Sequence, residues 1–221
     1  MRVLVTVQPG TGQLRPLVTV ARALDDAGHE VAVCSAPSFR SEVEALGLTH
    51  IDAGLDWLTS DQSTWGAFPP IPPPGPEFGR WGATTFADIS TRAMVPDLLA
   101  IARDWKPDLI VREQMEYGGC LAAECLGIPH ASVACNAYGA LDSPEVDHIA
   151  GNRLMVAGPL SRHREEHGLP PDPDVRFQTE MRALPGPEEI IDLLEALAGD
   201  SHGATPGPPP RHWRVPAPTY R

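Results

Sequence analysis

The chain opens Val3-Leu4-Val5-Thr6-Val7-Gln8-Pro9-Gly10-Thr11-Gly12-Gln13-Leu14-Arg15-Pro16-Leu17, and this stretch decides the fold. Residues 3–7 are short, apolar and mostly β-branched, which predicts a buried strand. A Gly/Pro turn follows. Leu14, Leu17, Val18, Ala21 and Leu24 then recur at helical spacing, and Gly28 closes the helix. Residues 30–35 form a second strand around Val31-Ala32-Val33. Residues 37–46 form a second helix ended by Gly47, and residues 48–51 a third strand. Strand, helix, strand, helix, strand at this pitch predicts an α/β fold: a Rossmann-like parallel sheet with right-handed crossovers and helices on both faces.

Working outward, residues 52–81 break the pattern. They hold Pro69-Pro70-Ile71-Pro72-Pro73-Pro74-Gly75-Pro76 and read as a long loop. A helix is expected from about Thr84, with Val95, Leu98, Leu99, Ala102 and Trp105 on one face, stopped at Pro107-Asp108. Residues 108–112 are a fourth strand, residues 117–126 a helix ended at Gly127, and residues 129–135 a fifth strand. After Asn136 the alternation stops. Residues 147–167 read as helix, and Leu169-Pro170-Pro171-Asp172-Pro173-Asp174 as a linker. Residues 176–184 and 188–198 read as helices, the latter carrying Ile190, Ile191, Leu193, Leu194 and Leu197. Residues 199–221 are Pro-rich with few apolar anchors and are expected to be disordered.

Charge narrows the partners. The 221 residues carry 17 Lys+Arg against 29 Asp+Glu, a formal net charge of -12. Nucleic acid and anionic membranes need a basic face, and the sequence has no basic run. No stretch approaches the roughly 20 apolar residues of a membrane span. Cys34, Cys120, Cys125 and Cys135 sit among small or apolar residues with no CxxC spacing, as expected of free thiols in a reducing, cytoplasmic setting. His163 and His167 are one helical turn apart, but no third ligand stands near them. They are expected on a solvated polar face, and no metal is expected.

In an open parallel sheet, ligands bind outside the carboxyl ends of the strands. Residues 9–13, 53–57, 113–117 and 136–138 meet that edge. The turn Gly10-Thr11-Gly12 begins like a dinucleotide fingerprint but fails it, because Arg15 holds the third Gly position and Pro16 follows. No GK[ST] makes it a phosphate loop, and no cofactor is expected. Trp57, Trp65, Phe68, Phe78, Trp81 and Phe86 gather in and beside the Pro-rich loop. About half are expected to pack the core, and the rest to line an apolar cleft.

The segments Val3-Leu4-Val5-Thr6, Gly12-Gln13-Leu14-Arg15-Pro16-Leu17 and Ala27-Gly28-His29-Glu30-Val31 resemble the opening of GT-B glycosyltransferases of families 1 and 28, above all bacterial enzymes acting on natural products. Trp105-Lys106-Pro107-Asp108-Leu109-Ile110-Val111-Arg112-Glu113, then Gly127-Ile128-Pro129, and Arg164-Glu165-Glu166-His167-Gly168-Leu169-Pro170-Pro171 are similar to later parts of the same N-terminal domain. The resemblance covers residues 1–174 and implies an acceptor-binding domain. It implies that a hexose passes, with inversion, from a nucleotide sugar to a small apolar aglycone. The family's general base is a His where this chain has Gln13, and its orienting acid matches Glu113. Gly10, Gly12, Trp57, Glu116, Tyr117 and Asn136 would border the acceptor.

A neutral amide cannot take a proton near pH 7. The resemblance also implies a second, donor-binding domain, and no strand alternation for one follows residue 174. Residues 182–194, within the helical segment 175–198, resemble the family's last helix, which packs back on the first domain. The expectation is therefore an acceptor-binding half, inactive alone. The alternatives are a non-catalytic subunit completed by a separate donor-domain protein or by self-association, and a degenerate remnant.

Overall fold

The computed structural model describes residues 1–133 and 147–172. The expectations for Cys135 and Asn136, for the helices over residues 176–184 and 188–198, and for the tail over residues 199–221 lie outside the described residues. Five strands, β1 (Arg2–Thr6), β2 (Glu30–Ser35), β3 (Thr49–Asp52), β4 (Leu109–Glu113) and β5 (His130–Val133), form one parallel sheet in the order β3-β2-β1-β4-β5. Leu4 lies in register with Ala32 on one side and Ile110 on the other.

The period-2 alternation along β1 then sorts the helices. Val3, Val5 and Val111 face α1 (Thr11–Asp26) and α2 (Arg40–Glu44), whose Leu14, Leu17, Leu24 and Val43 are buried against them. Leu4, Ala32 and Ile110 face the opposite way, onto Met94 and Leu98 of α4 (Thr91–Trp105) and Ala122 and Ala123 of α5 (Gly118–Leu126). Both faces are covered, as near-continuous apolar strands require.

The helix expected from Thr84 begins earlier. A helix α3 (Pro76–Gly82) runs on as a π-helix over Ala83–Ser90 and then into α4. Proline fits a first helical turn, where its missing N–H is not needed, so Pro76 starts the helix that the cluster before it seemed to exclude. In the π-helix the carbonyls fall out of α register, and the Thr91 hydroxyl donates to the Phe86 carbonyl at 2.8 Å.

Helix α6 (Asp147–Glu166) lies against this segment, with Val156 and Leu160 packed on Ala83, Ala87 and Leu121. Its end is fixed by Gly168 at φ 70. Leu169 N–H returns to the Arg164 carbonyl at 2.8 Å and Gly168 N–H to that of Glu165 at 3.1 Å, a Schellman closure that leaves Leu169 on the apolar cluster.

The aromatic loop folds on itself. Trp57 sits edge-on to Trp65 and Phe68, with centroids 5.5 and 4.7 Å apart, and Trp65 stacks on Trp81 at 5.7 Å. The indole N–H of Trp65 donates to the Leu58 carbonyl and that of Trp81 to Pro69. Trp57, Phe68 and Trp81 are buried, whereas Phe78 and Ile71 stay exposed. No helix among the described residues is long and apolar enough to cross a membrane.

Candidate functional site at the strand carboxyl ends

The strand order reverses direction at β1. The crossover from β1 leads to β2 on one side, while β4 pairs on the other, so a crevice opens where the two connections diverge. It is narrow, with about 10 Å³ of space for a water-sized molecule. Val7, Ala36, Ala53, Trp57 and Met94 give it apolar walls, and Gln8, Ser90 and Glu116 supply its polar side chains. Among the described residues no Lys or Arg lines it.

Gly10 is the buried residue preceding α1, in extended backbone, and two side chains close over it. A Cβ there would stand 2.3 Å from both Gln13 Oε1 and Thr59 Oγ1. Thr59 is held in place by its own N–H, which donates to the Pro9 carbonyl at 2.9 Å. The absence of a side chain at Gly10 thus leaves room for Gln13 and Thr59 to close over the β1 turn. Gly12 has no such neighbours: it is exposed, and a Cβ would meet nothing within 4 Å. Gln13 is half-buried in the first turn of α1 and is not among the residues lining the crevice. Thr59 left no signal in the sequence, since its role depends on a loop that folds back from β3.

The other flank is the turn between β4 and α5. Arg112 is fully buried, and its guanidinium donates to the carbonyls of Glu113, Gln114 and Glu116 at 3.3, 3.0 and 3.2 Å. The turn is wrapped around this cation. Tyr117 lies over it, 5.6 Å from ring centroid to guanidinium carbon, and is itself packed in the core with Cys120 and Leu121.

Glu113 is fully buried at the end of β4, and its Oε1 accepts from Met115 N–H at 2.8 Å. Glu116 lines the crevice with its carboxylate already engaged. It accepts from Thr6 Oγ1 at 2.5 Å, Gly118 N–H at 2.7 Å and Gly119 N–H at 2.8 Å. It therefore serves the first turn of α5, where unsatisfied amides and the helix dipole favour an anion. Burial pushes its carboxyl above the ordinary range, against the pull of those three hydrogen bonds and of Arg112. The pair Gly118-Gly119 was the available signal: a Cβ on Gly119 would lie 2.4 Å from Thr6 Oγ1, so β1 and α5 touch there. Asn136, the remaining residue expected at the edge, lies outside the described residues.

Of the two histidines, His163 departs from the expected solvated face, while His167 is partly exposed. His163 is buried, not solvated, because α6 packs it on the π-helix. Its ring nitrogens meet the Asp88 carbonyl at 3.2 Å and Glu166 Oε2 at 3.3 Å. Arg92 and Arg162 also pair with Asp88, at 3.1 and 2.9 Å. Burial alone would raise the Asp88 carboxyl; hydrogen bonds from the two arginines outweigh it and hold the group below its usual range. Among the described residues no group of His, Cys, Asp and Glu is arranged to hold a metal ion.

A sheet of this order with a crevice at its reversal point belongs to the Rossmann-like class of α/β ligand-binding domains. Residues 80–157 match the family described as Erythromycin biosynthesis protein CIII-like, N-terminal domain. The chain is 31% identical over 190 residues to tylactone mycaminosyltransferase of Streptomyces fradiae, covering 75% of this chain and 40% of that protein. It is 35% identical over 150 residues to aklavinone 7-beta-L-rhodosaminyltransferase of Streptomyces galilaeus, covering 59% and 34%.

Among solved structures it superposes on the glycosyltransferase SsfS6 of Streptomyces sp. SF2575 with TM-score 0.63 at 26% identity, covering 84% of this chain and 55% of that one. On the glycosyltransferase VinC in complex with dTDP the TM-score is 0.61 at 27% identity, covering 83% and 49%. The chain therefore spans less than half the length of these curated relatives. Its sequence and fold resemble the N-terminal portion of bacterial natural-product glycosyltransferases of the GT-B type.

Proposed function

We propose that these 221 residues form the acceptor side of a natural-product glycosyltransferase, binding a small, largely apolar aglycone at the β1/β4 edge and transferring no sugar by themselves. The observation that carries this reading is the composition of the crevice. Its exposed lining is about equally polar and apolar, with Ala53, Trp57 and Met94 beside Gln8, Ser90 and Glu116, and it holds no Lys or Arg among the described residues. A diphosphate asks for backbone amides plus a cation. Here Arg112, the buried cation of the turn after β4, is spent on three carbonyls, and Glu116 lines the crevice.

The transfer step needs a group that accepts the acceptor's hydroxyl proton as the oxygen attacks the anomeric carbon. By the family resemblance Gln13 takes the position of that base, and its amide can hydrogen-bond a hydroxyl but not deprotonate it. Gln13 also favours a second reading, in which the chain is a non-catalytic binding subunit. A donor-domain protein or another copy of the chain would then complete the cleft.

Calorimetry on the 221-residue polypeptide with a panel of polyketide aglycones and a thymidine diphosphate sugar tests the reading. Aglycones should bind more tightly than the nucleotide sugar, and no glycoside should form. Tighter nucleotide binding overturns the acceptor assignment, and turnover overturns the inactivity. Gln13→His should leave the polypeptide without turnover, since it supplies no diphosphate site.

A further inference from the structure

We propose that the segment from Gly54 to Gly75 is a lid: in the free protein it fills the crevice with its own Trp57, and it lifts to admit a flat aromatic acceptor. This rests on the acceptor-binding reading above and adds how that site is gated. The crevice is a seam between two parts of the chain. Val7, Pro9 and Glu116 belong to the sheet edge and the turns beside it, whereas Gly54, Leu55 and Trp57 belong to the segment after β3. About 10 Å³ is left between them, the space of one water, and Trp57 is 3% exposed. A ligand of several rings enters only where this wall moves.

The segment is built to move as a unit. Its tip satisfies itself: the Trp65 indole N–H donates to the Leu58 carbonyl and the Thr64 hydroxyl to the Asp61 carbonyl, each at 2.6 Å, and the Asp61 carboxylate accepts from Ser63 N–H at 3.0 Å. Among the described residues, two hydrogen bonds tie that tip to the sheet edge. Thr59 N–H donates to the Pro9 carbonyl at 2.9 Å, and Ser38 N–H to the exposed Asp56 carboxylate at 2.8 Å. The remaining hold is apolar: Leu58 lies on the core, Trp57 is tilted on Phe86 at 6.3 Å, and Trp65 stacks on Trp81 at 5.7 Å. A flat aromatic ligand offers the same kind of ring contact, so it can take over what Trp57 gives up. Glycines bracket the segment, with φ 76 at Gly54 and φ 157 at Gly75, where the backbone turns in regions closed to most side chains.

The test locks the lid of the 221-residue protein. Gly10→Cys is combined with Thr59→Cys, since a Cβ on Gly10 would lie 3.1 Å from Thr59 Cγ2, within reach of a disulfide. Cys125→Ser and Cys135→Ser remove competing thiols, Cys34 and Cys120 being buried. Alizarin, a hydroxylated anthraquinone, is titrated into the oxidised and reduced forms and followed by quenching of tryptophan fluorescence. The reduced form should bind it, and the oxidised form should lose at least about ten-fold in affinity, because the open state is no longer populated. In an otherwise wild-type chain, Trp65→Ala removes the stack on Trp81 and should speed association in stopped flow about two- to ten-fold by raising the open fraction. Equal binding by the two forms, a cysteine pair that does not cross-link, or an association rate not raised in Trp65→Ala overturns the lid while the acceptor-binding reading stands. So does a wild type that takes other aglycones but not alizarin. A wild type that binds no aglycone overturns both.

Discussion

Glu116→Ala should destabilise the domain strongly, and the size of the loss follows from what the carboxylate holds. Three buried donors point at it: Thr6 Oγ1, Gly118 N–H and Gly119 N–H. Truncation leaves all three without a partner where water does not reach. Each such donor costs about 1–3 kcal/mol, roughly 3–9 kcal/mol together. Relief of a desolvated carboxylate works in the opposite direction, since burial raises its pKa. We expect a net loss of about 2–5 kcal/mol. On a chain of this length each kcal/mol moves Tm by about 2–4 °C, so Tm should fall by at least about 4 °C.

The pH dependence carries a sign. A carboxyl raised above its ordinary 4.5 binds its proton more tightly in the folded state. Its contribution is therefore fully present below that value and declines as pH rises through the folded pKa. The gap between wild type and Glu116→Ala should narrow from pH 4 to pH 8. Circular dichroism melts across that range measure it. A Tm within 1 °C of wild type would refute the capping role, and a gap that widens with pH would refute the burial-raised carboxyl.

Arg164→Met should cost about 2–4 kcal/mol, because Arg164 is buried, pairs with Glu124 at 2.6 Å and donates to the Pro170 carbonyl at 2.8 Å, tying α6 to α5. An unchanged guanidinium midpoint would exclude that tie. At pH 8 a thiol-specific disulfide reagent should spare Cys34 and Cys120 in the native protein and label them only after unfolding. Burial holds the first far above its ordinary value and pushes the second up to about 12. Mass spectrometry of the labelled peptides decides this, and native labelling of either at the unfolded rate contradicts it.

The sheet was legible because its determinants are local. The apolar runs 3–7, 30–35 and 108–112, the helical spacing of Leu14, Leu17, Ala21 and Leu24, and the closing glycines Gly28 and Gly127 each act within a few residues. The carboxyl-edge segments followed from topology, and the family likeness from short segments such as residues 12–17 and 105–113. The start of α3 at Pro76 was hidden because proline signals loop and first turn alike.

What the site is made of depended on contacts far apart in sequence. Glu116 reads as an edge carboxylate until Thr6, 110 residues away, and the α5 amides are seen to claim it. His163 reads as a solvated residue until α6 presses it on Asp88, 75 residues away. Thr59 carries no pattern at all; it matters because a loop folds back over Gly10. Apolar periodicity is written in the chain because burial is a property of each residue, whereas the satisfaction of a polar group is a property of the pair, and only the tertiary structure chooses the partner.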